Sequence, residues 1–294
     1  MKKKLIQKKW FSRKNITEKV IEYVRRFFDF NTIAGYVAVN LVAGFICWIY
    51  FKIIHRKDIT IIGKRNLPKQ GKIIFYSNHL SMIDPLLLQF SLSWPRCIPK
   101  PWFLSYIPAA KENFFPADSR NIPWLRKIPF IRDTKLFAWL MHHGHAIPVA
   151  KDRKGKRKDS KVLRKLVKNI KNGKNVIIFP EGTRTRDGSL GKFRQGITTL
   201  IGGGKPDYII PVWIDGMARV LPIGQEKPDW KRGKVTVIIG QSIKYKVDAM
   251  QDIGYKEKRS WLRKKFGLLK FRNKKEKRTN MTELLREELL KLKP

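Results

Sequence analysis

At 294 residues with 43% hydrophobic content, the chain is long enough to bury a core and is a globular candidate. Its formal net charge of +41, from 64 Lys and Arg against 23 Asp and Glu, exceeds what solubility needs and implies an anionic partner: nucleic acid, anionic lipid or an acidic carrier protein. The two cysteines, Cys47 and Cys97, lack metal-ligand spacing. They are predicted to be structural thiols in a reducing compartment, and no metal site is implied.

Residues 1–57 are predicted to form basic amphipathic and hydrophobic helices that anchor the chain to a membrane. From about Thr17 the apolar positions recur at helical spacing, which fits a helix on a membrane surface or an ordinary surface helix. Residues 33–51 carry no charge, a length close to the roughly 20 residues that span a bilayer. Because basic residues flank this run on both sides, we expect two helices that enter one leaflet from the cytoplasmic face. A single span and a buried core helix are the alternatives.

Residues 58–254 are predicted to form an α/β domain, layered around a mostly parallel central sheet that helices flank. A helical pattern covers residues 160–172 and ends at Gly173, as a C-cap would. The Pro- and aromatic-rich residues 94–129 are predicted to form short turns and broken helices over the sheet. Apolar, β-branched runs predict six strands, at residues 59–62, 73–76, 146–149, 176–179, 208–214 and 235–239.

Residues 255–294 are predicted to be a basic segment followed by an amphipathic helix. Lys and Arg crowd residues 255–278 among aromatic side chains, which fits contact with an anionic membrane surface or with nucleic acid. In residues 279–292 the leucines lie broadly on one side of a helix. That helix is predicted to be structural.

One candidate site lies in residues 78–85, between a predicted strand and a predicted helix. Asp84 is the expected N-cap of the helix because it precedes Pro85, and His79 then lies in the turn. Catalytic groups favour such turns, where the sheet fixes the backbone. By itself the pair also fits a capped helix with an incidental histidine.

A second candidate site follows the predicted strand at residues 176–179. There the chain places a carboxylate, a glycine, a hydroxyl and a guanidinium in succession, as Glu181, Gly182, Thr183 and Arg184. Arginine suits bidentate recognition of phosphate, and glycine lets the backbone approach a ligand closely. The alternative is a polar loop with surface arginines.

The two sites together resemble the 1-acyl-glycerol-3-phosphate acyltransferase family of glycerolipid synthesis. The resemblance rests on His79-x-x-x-x-Asp84 and on Phe179-Pro180-Glu181-Gly182-Thr183-Arg184. Two lesser matches lie in the right order along the chain: residues 144–149 with Lys151 and Arg153 look like the family's second motif, and residues 209–216 look like its fourth. Residues 110–115, which include Lys111, resemble the lysine-bearing segment after the first motif. Four ordered motifs are far more specific than one.

The resemblance implies transfer of a fatty acyl group from acyl-CoA or acyl carrier protein to the sn-2 hydroxyl of 1-acyl-glycerol-3-phosphate, which gives phosphatidic acid. His79 is then the base for the hydroxyl, and Asp84 holds its tautomer and stabilises the imidazolium. No nucleophilic serine is needed because the hydroxyl itself attacks the thioester, so Ser81 is predicted to be a hydrogen-bonding turn residue. No cofactor is expected, since the acyl donor is a co-substrate.

The resemblance also implies how the acceptor is held. Arg184 is the first choice for the acceptor's phosphate, assisted by Lys111 and by Lys151 or Arg153. Glu181 is expected to organise its loop or to bind an acceptor hydroxyl, beside Gly182 and Thr183. The expected partners are anionic membrane lipids, lysophosphatidic acid and an acyl donor.

Two alternatives remain open on the sequence. One is an acyltransferase for another lysolipid or for glycerol 3-phosphate, which motif spacing cannot separate from the first hypothesis. The other is a nucleic-acid-binding protein, suggested by the charge. Against it, the chain has no zinc-finger, helix-turn-helix or RNA-binding aromatic signature.

Overall fold

The computed structural model describes residues 35, 37–100, 103–110, 134–149, 159–185, 188–225, 227–244 and 274–294. The described part begins with a helical segment of three short pieces. Val37–Ala43 and Ile49–Ile54 have π-helical bonding, and helix α1, Gly44–Trp48, lies between them. Of the helices in the described ranges, none is long and apolar enough to cross a bilayer. The amphipathic helix predicted before residue 35 lies outside those ranges.

A central β-sheet is the main element of the described chain. Its strands run in the order β1 (Ile59–Ile62), β7 (Val235–Ile239), β6 (Tyr208–Asp215), β2 (Ile73–Ser77) and β5 (Val176–Ile178). The pairs β1–β7, β2–β6 and β2–β5 are parallel, whereas β6 and β7 are antiparallel. The short β8, Ile243–Lys244, also pairs antiparallel with β6. The prediction of a mostly parallel α/β sheet is therefore confirmed.

Alternate residues of the strands fill two apolar cores, one on each face of the sheet. Ile73 and Phe75 of β2 belong to the first core, which is covered by α2, Asp84–Leu92, and by the helical segment through Phe51. Ile74 and Tyr76 belong to the second. That face is covered by α4 (Asp159–Lys171), α5 (Gly196–Gly204) and α7 (Lys274–Leu290). Helices on both faces of the sheet give the layered arrangement that the strand and helix pattern predicts.

A small parallel pair of strands lies beside β5. It consists of β3, Ile107–Ala110, and β4, Ala146–Val149, and an isolated bridge joins Tyr106 to Val176. Strand β3 corrects the prediction of turns and broken helices for this region. The N–H of Ile107 donates to the carbonyl of His145. Successive residues of a strand direct their nitrogens to opposite sides, so the nitrogen of Pro108 faces away from β4 and its lack of an N–H costs no hydrogen bond to β4. A proline-containing strand is tolerated there for that reason.

The described residues also form two further α-helices and two 3-10 turns. Helix α3, Thr134–His143, leads into β4, and α6, Met217–Val220, follows β6. One 3-10 turn, Lys64–Asn66, follows β1, and the other, Trp230–Arg232, precedes β7. Helix α7 starts at Lys274 and so is longer at its N-terminus than the predicted helix at residues 279–292. Residues 255–273, which are most of the predicted basic segment, lie outside the described ranges.

Candidate active site

The His79 side chain lies in the turn that joins β2 to α2, as predicted. Asn78 anchors the start of this turn, because its side-chain amide exchanges two 2.8 Å hydrogen bonds with the backbone of Ile214 on β6. The amide thus extends the β2–β6 ladder by one residue. Because the turn is fixed to the sheet at this point, the position of the His79 backbone is defined by the sheet.

His79 and Asp84 form a close pair. Nδ1 of His79 lies 2.9 Å from Oδ2 of Asp84, which is fully buried, whereas 19% of the His79 side chain remains exposed. An ionised carboxylate only accepts hydrogen bonds, so the Nδ1 nitrogen carries the proton and Nε2 is left as the basic nitrogen of the neutral ring. The ring also stacks on Phe179, with the ring centres 4.1 Å apart.

The Asp84 carboxylate is held by the turn that precedes it. The N–H groups of Leu80 and Ser81 donate to Oδ2 at 2.6 and 2.7 Å, and the Ser81 hydroxyl donates to Oδ1 at 2.7 Å. The prediction that Asp84 caps the helix was wrong in this detail: Ile83 occupies the cap position, and the carboxylate points back to the turn. Ser81 is a hydrogen-bonding turn residue, as predicted.

The loop after β5 is bonded directly to the His79 backbone. Oε1 of Glu181 accepts the His79 N–H at 3.0 Å, and the Thr185 N–H donates to the His79 carbonyl at 3.0 Å. The two candidate sites, about a hundred residues apart in sequence, therefore form one site at the ends of the parallel strands β2 and β5. Arg184, half-buried, directly precedes Thr185 in this loop, and Thr183 is exposed.

Both carboxylate oxygens of Glu181 are engaged by backbone donors. Oε2 accepts the Gly191 N–H at 2.8 Å, opposite the bond to His79. Burial raises the pKa of Glu181 above its ordinary value, while these two N–H bonds and the nearby His79 act to lower it. The arrangement fits the predicted organising role of Glu181 more closely than the binding of an acceptor hydroxyl.

A cavity of about 160 Å³ opens beside His79. Its walls are mostly apolar and come from β3, β4, α4, β5 and α5 and from the loops that carry His79, Gly182 and Arg194. The lining side chains include Pro108, Val149, Val162, Leu163, Leu166 and Ile197, with Phe179 and Gly182 near His79. Within this lining, Arg194 is the only charged side chain apart from a protonated His79. The cavity thus joins an apolar space to a polar, basic edge.

Gly182 is required where it stands. Its φ angle of 73° lies in the left-handed region, and a Cβ atom there would lie 2.7 Å from Nε of Arg194. The guanidinium group of Arg194 therefore covers the loop at Gly182. Sequence reasoning missed Arg194, because a single arginine among 64 basic residues carries no signal of its own.

Three predicted phosphate-binding residues, Lys111, Lys151 and Arg153, lie outside the described residues, so their roles stay predictions. Strand β4 of the second motif does reach the site, since Val149 lines the cavity. His145 of that motif packs elsewhere: its ring stacks on Tyr106, and Nδ1 donates to the carbonyl of Leu104 at 2.9 Å. Among the described residues, no cluster of three or more His, Cys, Asp or Glu could hold a metal ion.

Comparison with known proteins assigns part of the chain to a family. Residues 58–215 match the family model described as Acyltransferase. The chain is 28% identical over 197 residues to a chloroplastic 1-acyl-sn-glycerol-3-phosphate acyltransferase of Arabidopsis thaliana. The matched region covers 67% of this chain and 46% of that relative. It is 32% identical over 198 residues to the chloroplastic enzyme of the same description from Brassica napus, with 67% and 48% covered. The chain thus spans about half the length of these curated relatives.

One solved structure is also similar. It is the crystal structure of the 1-acyl-sn-glycerophosphate acyltransferase PlsC from Thermotoga maritima, at 20% sequence identity. The match covers 92% of this chain and 98% of that chain, with a TM-score of 0.49.

Proposed function

Because this chain belongs to the acyltransferase family, we propose that it transfers a fatty acyl group from acyl-CoA or acyl carrier protein to the sn-2 hydroxyl of 1-acyl-glycerol-3-phosphate. The product is phosphatidic acid. The observation that carries the proposal is the His79–Asp84 pair at the edge of an apolar cavity. A base next to a space for a hydrocarbon chain is what acyl transfer to an alcohol requires.

The proposed reaction needs no enzyme nucleophile and no cofactor. Nε2 of His79 takes the proton of the acceptor hydroxyl, whose oxygen attacks the thioester carbonyl carbon. Asp84 stabilises the imidazolium that forms, because its buried carboxylate already accepts the Nδ1 proton. The tetrahedral intermediate then expels the donor's thiolate, which receives the proton from His79. An ester bond forms and a thioester bond breaks.

We assign the acyl chain to the cavity. Its lining by Val162, Leu163 and Leu166 of α4 and Ile197 of α5 is apolar, and burial of a hydrocarbon chain there removes apolar surface from water. His79 lies in the same lining, so a chain in the cavity would bring its carbonyl carbon to the base. The acceptor's phosphate then lies outside the apolar part.

We assign the acceptor's phosphate to the basic side of the site. Arg184 is adjacent to Thr185, whose backbone contacts His79, and a guanidinium can bind two phosphate oxygens at once. Lys111 and either Lys151 or Arg153 are proposed to assist it. Gly182 and Thr183 complete the loop that contacts the acceptor.

We also propose that the protein works at an anionic membrane surface, on its cytoplasmic face. The helical segment exposes apolar side chains to solvent, which a lipid surface would cover. Ile54 and Ile46 are the most exposed of them, at 62% and 60%, with Val42, Phe45 and Ile53 close behind. The net charge of +41 favours anionic lipid, and the lysolipid acceptor is itself a component of such a surface.

A panel of acceptors and donors tests the proposal. Purified protein in detergent micelles would be offered lysophosphatidic acid, other lysolipids and glycerol 3-phosphate, each with acyl-CoA and with acyl carrier protein. We expect phosphatidic acid, detected by mass spectrometry, as the main product. Transfer to another lysolipid or to glycerol 3-phosphate would instead support the alternative acceptors, and absence of transfer to all of them would contradict the proposal.

A further inference from the structure

Helix α7 lies outside the family-matched residues 58–215, yet it packs against the face of the sheet next to the site. Leu285 and Leu289 are fully buried in the second core. Between them in sequence, Arg286 extends to the segment that follows the Glu181 loop. Its Nη2 donates to the carbonyl of Leu190 at 2.9 Å, and its Nε donates to the carbonyl of Gly191 at 3.1 Å.

The same segment is bonded to Glu181. The Gly191 N–H donates to Oε2 of Glu181 at 2.8 Å, and Oε1 of Glu181 accepts the N–H of His79 at 3.0 Å. A Cβ atom on Gly191 would lie 3.0 Å from Oε2, so the carboxylate approaches this backbone closely. A continuous series of hydrogen bonds therefore runs from the C-terminal helix to the backbone of the proposed base.

We infer that Arg286 is a positioning residue for the proposed acyl transfer, which fixes His79 through the 190–191 backbone and the Glu181 carboxylate. The inference rests on the proposed function and adds a helix that the family match does not include. A guanidinium suits this task because its rigid fork of donors can hold two consecutive carbonyls at once, whereas an ammonium group is a single point of contact. Displacement of a catalytic group by about 1 Å can slow catalysis by up to about a hundredfold.

The pH dependence of catalysis distinguishes this role from simple packing. The groups that act on Glu181 are the N–H donors of Gly191 and His79, the His79 side chain and the Asp84 carboxylate. Loss of the Arg286 bonds would loosen Gly191 and weaken a bond that lowers the pKa of Glu181. The pKa would then rise further, so at a higher pH Glu181 would become protonated and would accept the His79 N–H more weakly. The acid limb of the plot of kcat against pH should therefore move to higher pH.

The experiment compares wild-type protein with Arg286→Met, which keeps an unbranched side chain of similar length. Lys291→Met is the matched control, because Lys291 lies just after α7, is exposed and pairs with Glu288. We expect Arg286→Met to lower kcat by about tenfold with little change in KM, and to move the acid limb to higher pH. Lys291→Met should behave as wild type.

Amide hydrogen exchange gives a second readout that does not depend on turnover. In Arg286→Met we expect faster exchange at residues 79–84 and 189–192, with unchanged exchange in α7 and in β7. Wild-type kcat and wild-type exchange in this variant would overturn the inference. Faster exchange throughout α7 would also overturn it, since Arg286 would then only hold the helix in place. If the wild-type protein shows no turnover, the proposed function fails, and the exchange at residues 79–84 still decides the role of Arg286.

Discussion

The carboxylate of Asp84 and the imidazole of His79 meet at 2.9 Å, with the carboxylate fully buried and the imidazole partly exposed. Three other donors, from Leu80 and Ser81, fix the carboxylate on the side of the turn. A buried carboxylate with four hydrogen bonds is held in one orientation. It can therefore orient the imidazole and stabilise the imidazolium without taking the proton itself.

Replacement of Asp84 by Asn should impair both stability and catalysis. The amide cannot accept all four hydrogen bonds, so the free energy of unfolding should fall by about 1–3 kcal/mol. Turnover should fall by about a hundredfold or more, because the imidazole loses its orienting acceptor. Urea unfolding and steady-state kinetics measure the two effects. Asp229→Asn, at the start of the Trp230–Arg232 turn, is the control; an equal loss of activity in both variants would contradict the role of Asp84.

Arg184→Met should weaken binding of the phosphorylated acceptor. Loss of charge-assisted hydrogen bonds typically costs about 1.5–3 kcal/mol, so KM for lysophosphatidic acid should rise by about ten- to a hundredfold. KM for the acyl donor should change little. Arg164→Met removes an exposed arginine on α4 and serves as control. An unchanged KM for the acceptor in Arg184→Met would exclude the assignment.

Val162→Phe should change the preferred length of the acyl chain. Val162 lines the cavity from α4, and a larger side chain there would shorten the space for the hydrocarbon tail. We expect the ratio of kcat/KM for long over short acyl donors to fall by about tenfold. Competition between donors of different chain length, with products separated by mass spectrometry, measures that ratio. Lys165→Met, an exposed change on the same helix, should leave it unaltered. A wild-type ratio in Val162→Phe would mean that the acyl chain does not bind in this cavity.

His145 should make stability depend on pH. Burial lowers its pKa from 6.5 to about 4, so the unfolded chain binds the proton more readily than the folded protein. The free energy of unfolding should therefore decrease by about 3 kcal/mol as the pH falls from 6.5 to about 4. His145→Asn should flatten this dependence, since asparagine tolerates the positive φ of 61°. Denaturant unfolding at several pH values measures the free energy of unfolding. If that free energy changes with pH equally in wild type and in His145→Asn, the prediction is contradicted.

The sequence predicted the parts of the site in which all the residues lie in one short stretch of the chain. His79 and Asp84 are five residues apart on a turn, and Glu181 to Arg184 directly follow a strand whose apolar run is visible in the sequence. Because the carboxyl ends of parallel strands share one edge of a sheet, the α/β pattern also brought the two segments together.

The parts that were missed depend on packing between distant elements. The cavity is built by five strands and helices and by the loops between them, and the Arg194 side chain fits over the loop only because Gly182 has no Cβ atom. Strand β3 was missed since its sequence, Ile107-Pro108-Ala109-Ala110, has one β-branched residue and a proline. The predicted helix-capping role of Asp84 was wrong because its carboxylate accepts from N–H groups of the preceding turn, those of Leu80 and Ser81.

The measurement that tests the account most directly is the formation of phosphatidic acid from lysophosphatidic acid and an acyl thioester by wild-type protein and by His79→Ala. His142→Ala, which removes an exposed histidine near the end of α3, is the control, and circular dichroism checks that all three proteins are folded. We predict that wild type and His142→Ala form phosphatidic acid and that His79→Ala loses at least about a hundredfold in rate. Near-normal turnover by folded His79→Ala would contradict the account.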